Sequence, residues 1–405
     1  MARILKPHQI AYATAHHQPR GNLSDLYPRW LGARELLLRG RNPYSHEVTL
    51  EIQQGYYGRA LEASRPDDPR DQQGFAYPAY VVFLLAPTVK LPFHPVQIGF
   101  RWLLIGLTAV SVPFWLRLLR WKLPCGEITL AIVLALGSIP VAQGIRLQQL
   151  SLLVAGMLAA CAACLASDYL FCAGALLALA TIKPQLAAPL ALWLMIWAAS
   201  DWRSRRRLIF GFVLVMALLL AGAEILLPGW WRMFLDAIRQ YHMYTQNHSV
   251  LEVLFGKIAG RVLTGLAILV GGFLLWPLRR QPASDATFGR AIALVLALTT
   301  LVVPMFAPYN QVLLIPAVLS ILRDCKPEGA SSFRVGMARG AGALLLVWPW
   351  IATISLTVAS FWFAAGRVQS LWELPFYSTF FLPVFVFGLA CLDLRTSIPS
   401  SATQT

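Results

Sequence analysis

Asp25 heads the stretch of this chain best able to do chemistry. After it come an amphipathic run beginning near Leu26, the turn Asn42-Pro43-Tyr44, a polar segment and the pair Tyr77-Pro78. A carboxylate so placed has two uses. Ser24-Asp25 ahead of a helix reads as a cap, because Asp accepts from the free N–H groups of a first turn. The same carboxylate can serve as a general base towards an incoming hydroxyl. An ordinary Asp, at about 3.9, is a weak base, so that use calls for partial burial to raise it. The apolar stretch 75–91 is expected to bury it.

Further polar side chains gather in a few short segments. These hold Gln143, Arg146, Gln148 and Gln149; Lys183 beside Pro184; residues 229–250, with Asn247 and His248; residues 305–311, with Tyr309 and Asn310; and Arg367, Trp372 and Glu373. Lys183 reads either as a cation for a phosphate or as a side chain snorkelling to an interface. Arg146 is a second candidate for the first task. Tyr309 and Asn310 either orient hydroxyls or close a helix, and Asn247 with His248 stand likewise. Ionisable residues within apolar spans are few, Arg101, Lys183 and Glu224 being the main ones, and such residues are functional candidates.

The elements that must position these groups are membrane helices. The 405 residues are 57% hydrophobic and 13% charged, against about 25% charged in soluble domains. A chain of this composition needs lipid to cover its apolar surface. The fold class expected is all-α and polytopic. About eleven spans are read near residues 97–119, 127–141, 149–166, 169–183, 186–200, 207–228, 258–278, 288–303, 309–322, 339–360 and 372–392. Residues 21–96 form an outer loop with amphipathic interfacial helices, 97–392 the membrane domain and 393–405 a cytoplasmic tail. Residues 1–20 and the extreme C-terminus read as disordered.

The net charge is +15. Its cations do not cluster on one soluble face, which argues against nucleic acid as a partner. They alternate between loops instead. One set, from Arg117 to Arg395, holds fifteen Lys and Arg; the other, from Arg146 to Arg367, holds six. The richer set is expected to face the cytoplasm, which places the chemically rich loops and residues 1–96 outside a plasma membrane. The run 75–91 is then a re-entrant or interfacial helix broken by Pro87 and Pro92. Nothing in residues 1–74 reads as a signal peptide or a span, so the charge pattern predicts a further membrane helix ahead of the first residue. Segment 229–250, rich in Trp and Tyr, reads as an interfacial helix or as the wall of a lipid-substrate groove.

Several features call for no special chemistry. Cys161 and Cys164 form a CxxC inside an apolar span, where small residues serve helix packing. His46 and Glu47 with Asp25 lack the dense carboxylate cluster of a cation site, so no metal and no cofactor are expected. Asp67, Asp68 and Asp71 lie in a Pro-rich polar loop and read as solvated.

Taken in order, Asp25, Tyr27, Trp30, Ala33-Arg34, Gly40, Asn42-Pro43-Tyr44 and Tyr77-Pro78 resemble the opening of glycosyltransferase family 87, polytopic enzymes of the C-type superfamily. Further similarities follow at Gln149 with Leu152-Leu153, Ala173-Gly174, Lys183-Pro184-Gln185, Asn247-His248-Ser249, and Pro304 through Tyr309 to Pro316. The resemblance covers residues 22–320. Two departures stand out: relatives carry Gly where this chain has Gln148, and family mannosyltransferases carry histidines near the position of Tyr309-Asn310. The resemblance implies a polyprenyl-phosphate-linked sugar donor, with mannose the expected hexose, and a lipid or glycan hydroxyl as acceptor. It implies inversion at the anomeric carbon with Asp25 as base. The candidate substrate-binding residues are Arg34, Asn42, Tyr44, Tyr77, Arg146, Gln149, Lys183, Asn247, His248, Tyr309 and Asn310. Two rival readings remain. A transporter or flippase would hold its ligand at the membrane midplane between repeats. A glycan ligase would take a diphosphate-linked oligosaccharide.

Overall fold

The structure, a computed structural model, describes residues 13–17, 20–62, 64–65, 68–245, 248–304, 307–323, 333–363, 367–368, 371 and 378–397. Asn247, Asp67, Cys325, Trp372 and Glu373 lie outside the described residues, as do 1–12 and 398–405 in the two termini read as disordered. All regular structure among the described residues is helical. In chain order the helices are α1 Tyr27–Arg39, α2 His46–Tyr57, α3 Val81–Leu85, α4 Phe93–Leu118, α5 Cys125–Gly137, α6 Ile139–Leu147, α7 Leu150–Ala166, α8 Leu170–Ala180 and α9 Pro184–Ala199. They continue as α10 Trp202–Leu226, α11 Trp230–Thr245, α12 Val250–Phe255, α13 Lys257–Leu275, α14 Ala286–Val302, α15 Ile315–Arg323, α16 Phe333–Ala359 and α17 Leu382–Ser397.

Crossing a bilayer takes about 20 apolar residues. Among the described residues three segments are long and apolar enough: α4, α10, and α13 with the turn after it, Lys257–Arg280. Helices α5 and α6 pass the same test together, bent by 62° at Ser138. The helices α7, α8, α9 and α14 are apolar but shorter. Each covers much of a segment read as a span, so the sequence pattern located helices better than it measured their length. Residues 309–322 are divided: a 3-10 turn, Pro308–Leu314, precedes the nine residues of α15. Nine residues rise only about 14 Å.

The residues form two compact units, Met1–Leu104 with Ile145–Leu150 and Leu214–Asn247, and Ile105–Gly144 with Ser151–Val213 and His248–Thr405. In the first unit, α1 begins with Pro28 in its opening turn and stops at Gly40. There φ of +65° lets the N–H reach back to Glu35 O and Leu36 O. Gly is the residue that takes this left-handed closure without strain. Ser45 caps α2, accepting from Val48 N at 3.3 Å, and Gly58 ends it at φ +87°. Val48, Ile52 and Tyr56, four residues apart, are the buried stripe of α2. Gly32 of α1 lies against the Phe75 ring, leaving no room for a Cβ. The run 75–91 forms the short α3, buried through Val81, Val82 and Leu85, and passes into a 3-10 turn at Pro87.

The second unit is built on α14, buried on all sides as expected of a core helix. Phe288 packs at a tilt against Trp193 and Trp197 of α9, 5.4 and 4.9 Å between ring centroids. Arg205 lies over Trp197 and donates to the carbonyls of Trp197, Arg279, Arg280 and Gln281. It thereby satisfies chain ends that would otherwise lack donors. Helices α8 and α10 cross where Gly174 faces Leu208 O and Phe212 N, and Gly211 faces Phe171 O.

Candidate active site

In the first unit Asp25 stands one residue ahead of the N-cap of α1. The N-cap position is Leu26, which makes no side-chain bond. One carboxylate oxygen of Asp25 instead accepts from the Tyr56 hydroxyl at 3.0 Å, and the other accepts from the Gln149 amide. Its backbone N–H donates to Leu147 O at 2.8 Å, and its carbonyl accepts from Arg29 at 2.7 Å. The cap position expected for Asp25 is thus held by Leu26. A helix that starts two residues later, with Pro28 in its first turn, leaves the carboxylate turned towards α2 and the 147–149 segment.

The surroundings of this carboxylate are aromatic and partly dry. Burial, and then the negative charge of Asp25, hold the Tyr56 phenol well above its ordinary range. Tyr56 thus keeps its proton and acts as donor. Burial raises Tyr77 and Tyr241 as well. The Arg29 guanidinium lies 4.3 Å from the centre of the Tyr77 ring. Asp71 belongs to the same group. Burial raises its carboxyl, the charge of Asp25 adds to that, and the bonds from Gln73 and the charge of Arg29 oppose it. The expectation that Asp68 and Asp71 are solvated is corrected on both counts. The polar loop folds back, pairing Asp68 with Arg59 and setting Asp71 in the field of Asp25.

Other residues of the first unit brace this group or stand apart from it. Asn42 closes the Asn-Pro-Tyr turn by accepting from Tyr44 N at 3.0 Å, and donates to the Met233 sulfur at 3.2 Å. Tyr44 donates to Tyr77 O at 2.6 Å and meets Phe75 edge-on. Arg34 lies over Trp30, 5.3 Å from its ring centre. Arg146 has an exposed side chain, while its carbonyl accepts from Gln148. His46 and Glu47 are exposed.

Gln148 has φ of +52°. Its amide donates to Ile145 O and Arg146 O at 2.8 and 2.6 Å, and its carbonyl oxygen accepts from Gln97 at 3.1 Å. Those bonds offset the strain of a left-handed non-glycine residue.

In the second unit Lys183, 4% exposed, precedes the first turn of α9 and donates to Ser151 Oγ at 2.6 Å. Ser151 in turn donates to Asn310 Oδ1 at 2.7 Å. The ammonium lies 5.1 Å from the Tyr309 ring centre. Gly144 admits Tyr309, whose Cβ would stand 3.2 Å from a Cβ built on the glycine. Lys183, Tyr309 and Asn310 thus come together, and the buried ammonium is not snorkelling to a surface. His248 lies elsewhere in the same unit, exposed and 3.9 Å from Glu252 in the capping box of α12.

Tyr56, Arg29, Asp71, Tyr241 and Ser151 were not singled out by the sequence pattern. Arg29 was a cation close to Asp25 in the sequence. Ser151 was a polar residue in an apolar run, two after Gln149. Tyr241 lay in the Trp- and Tyr-rich segment 229–250, and Tyr56 gave no signal.

A family model for glycosyltransferase family 87 matches residues 75–304. The matched stretch includes Tyr77, Gln149 and Lys183, and Asp25 lies ahead of it. No curated protein and no solved structure matches the chain. The family match spans more than half of the 405 residues and agrees with the helical, apolar architecture: the chain belongs to glycosyltransferase family 87.

Proposed function

We propose that this membrane glycosyltransferase moves a hexose, with mannose first in line, from a polyprenyl-phosphate donor to a lipid or glycan hydroxyl. The reaction inverts the anomeric carbon. The acceptor oxygen attacks that carbon on the side opposite the phosphate. As the new C–O bond forms, the acceptor proton passes to Asp25. The bond from the anomeric carbon to the phosphate oxygen breaks with its electron pair, and polyprenyl phosphate leaves as a monoester. Lys183 is the cation we assign to that phosphate. Charge stabilisation of a leaving oxyanion is commonly the larger part of such catalysis.

One observation supports the base assignment above the others. Both carboxylate oxygens of Asp25 are held by side chains from remote segments, while its own helix starts without it. The charge asymmetry of the loops supports a multi-pass arrangement of about eleven crossings, with the reaction at the outer face of a plasma membrane.

The test uses membranes holding the full chain, labelled polyprenyl-phosphate-mannose, and Asp25→Asn. General-base catalysis contributes roughly a hundredfold or more. The variant should lose that much in kcat with little change in donor KM. Equal transfer by both proteins overturns the base assignment. If neither transfers mannose, polyprenyl-phosphate-glucose and polyprenyl-phosphate-arabinose are the next donors. Movement of label across liposomes without a new glycosidic bond would point to a transporter instead.

A further inference from the structure

Asp25 and Asp71 are fixed by neighbouring residues of one helix. Tyr56 of α2 donates to the Asp25 carboxylate at 3.0 Å, and Tyr57 donates to the Asp71 carbonyl at 2.7 Å. The two phenol rings meet edge-on at 4.7 Å. The Asp71 carboxylate is then aimed by Gln73, whose N–H and side-chain amide donate to its two oxygens at 3.0 and 2.8 Å. Gln73 holds φ of +52° to do so. A non-glycine residue kept left-handed is strain that the surrounding bonds must hold in place. Gln53 of α2 ties the next residue down through Gln72 O at 3.1 Å.

We propose that Asp71 is a positioning residue that acts through Asp25, its fixed negative charge sustaining the affinity of Asp25 for the acceptor's proton. The inference rests on the base assignment made above. A carboxylate beside a second carboxylate binds a proton more tightly. The groups facing the pair are Arg29 of α1, Tyr56 and Tyr57 of α2, Tyr77, and Tyr241 of α11. Tyr56, Tyr77 and Tyr241 are kept neutral by burial. Arg29 carries the opposing charge, so Asp71 offsets a cation that would otherwise weaken the base. The like charge also makes the proton on Asp25 and the charge on Asp71 mutually stabilising once transfer has occurred.

The test reads Asp25 directly. Carbodiimide-driven coupling of an amine to a carboxyl proceeds through the protonated acid, so its rate at Asp25 against pH gives a titration midpoint by peptide mass spectrometry. The full chain in lipid nanodiscs is compared with Asp71→Asn and Asp71→Glu. Asp71→Asn should lower the Asp25 proton affinity roughly three- to tenfold, moving the midpoint to lower pH. Asp71→Glu should leave it near the native position. If Asp71→Asn does not fold, Gln73→Ala releases the Asp71 carboxylate and should move the midpoint the same way. A midpoint unmoved in a folded variant overturns the inference. The transfer assay with Asp25→Asn separates the two claims: full transfer there removes the base assignment, whereas a lost reaction with an unmoved midpoint removes the role of Asp71 alone.

Discussion

Gln149 and Asp25, 124 residues apart in the chain, are joined by a hydrogen bond from the Gln149 amide to Asp25 Oδ2. The donor is neutral, so it orients the carboxylate without neutralising it. Gln149→Ala should let that oxygen turn and lower kcat about tenfold, with donor KM nearly unchanged. Gln149→Glu should do worse, because a like charge replaces a donor. Steady-state transfer rates of the two variants test the order; a Glu variant as active as the native chain would contradict it.

Lys183 and Ser151 offer a second test. Loss of the Ser151 hydroxyl leaves a buried ammonium and the Asn310 carbonyl one bond short. Such a loss costs about 1–3 kcal/mol. Ser151→Ala should therefore lower thermal stability clearly, and Ser151→Thr should restore it if the extra methyl is accommodated. Lys183→Met should raise donor KM about tenfold under the phosphate assignment. Lys183→Arg should rescue poorly, since a planar fork does not replace a compact ammonium in a packed site. Unchanged donor KM in Lys183→Met would remove Lys183 from donor binding.

Gln148 sets strain against bonds. A left-handed non-glycine residue costs roughly 1–2 kcal/mol, and its three side-chain bonds return about 1 kcal/mol each. Gln148→Gly removes both terms, so stability should fall by only about 1–2 kcal/mol and transfer should persist. Gln148→Val keeps the strain, loses the bonds and adds a β-branch, and should be strongly destabilised. Thermal melts of the two variants give the comparison directly.

Gly174 tests the crossing of α8 and α10. A Cβ there would stand 2.7 Å from Phe212 N and closer still to Leu208 O. Backbone cannot move aside as a side-chain tip can. Gly174→Val should force the helices apart and reduce the yield of folded protein, whereas Gly265→Val, where a Cβ meets open space, should be tolerated. Equal folding of both variants would contradict the close packing.

The sequence made elements legible and pairings only in part. Apolar periodicity located α7, α8, α9 and α14 to within a few residues, because burial on a helix repeats locally. It could not show that α14 is enclosed by protein or that residues 309–322 begin with a 3-10 turn, since both depend on neighbours distant in the chain. Asp25 and Gln149 were each visible as polar outliers, but the bond between them spans 124 residues. Tyr56 was hidden because it continues the buried stripe of Val48 and Ile52 and reads as core. Asp71 was hidden because a Pro-rich polar loop looks hydrated until it folds back on α2. Arg146, equally conspicuous as a cation, points to the surface.

That hidden position of Asp71 sets the last prediction, which concerns stability rather than rate. Its carboxyl is raised in the folded chain, first by burial. A carboxyl raised on folding contributes stability below its unfolded value, about 3.9, and that contribution is lost as pH rises through the folded value. The charged form of Asp71 is therefore the one that folding disfavours, and its cost grows as pH rises. Asp71→Asn removes the charge and keeps an oxygen to accept from Gln73 N. The variant should melt above the native chain at neutral pH, and the gap should close as pH falls towards 4. A gap that widens on acidification would show that Asp71 is stabilised as a carboxylate, reversing the sign argued here. A gap that closes would mark Asp71 as a residue kept at the expense of stability, as expected where charge serves a reaction.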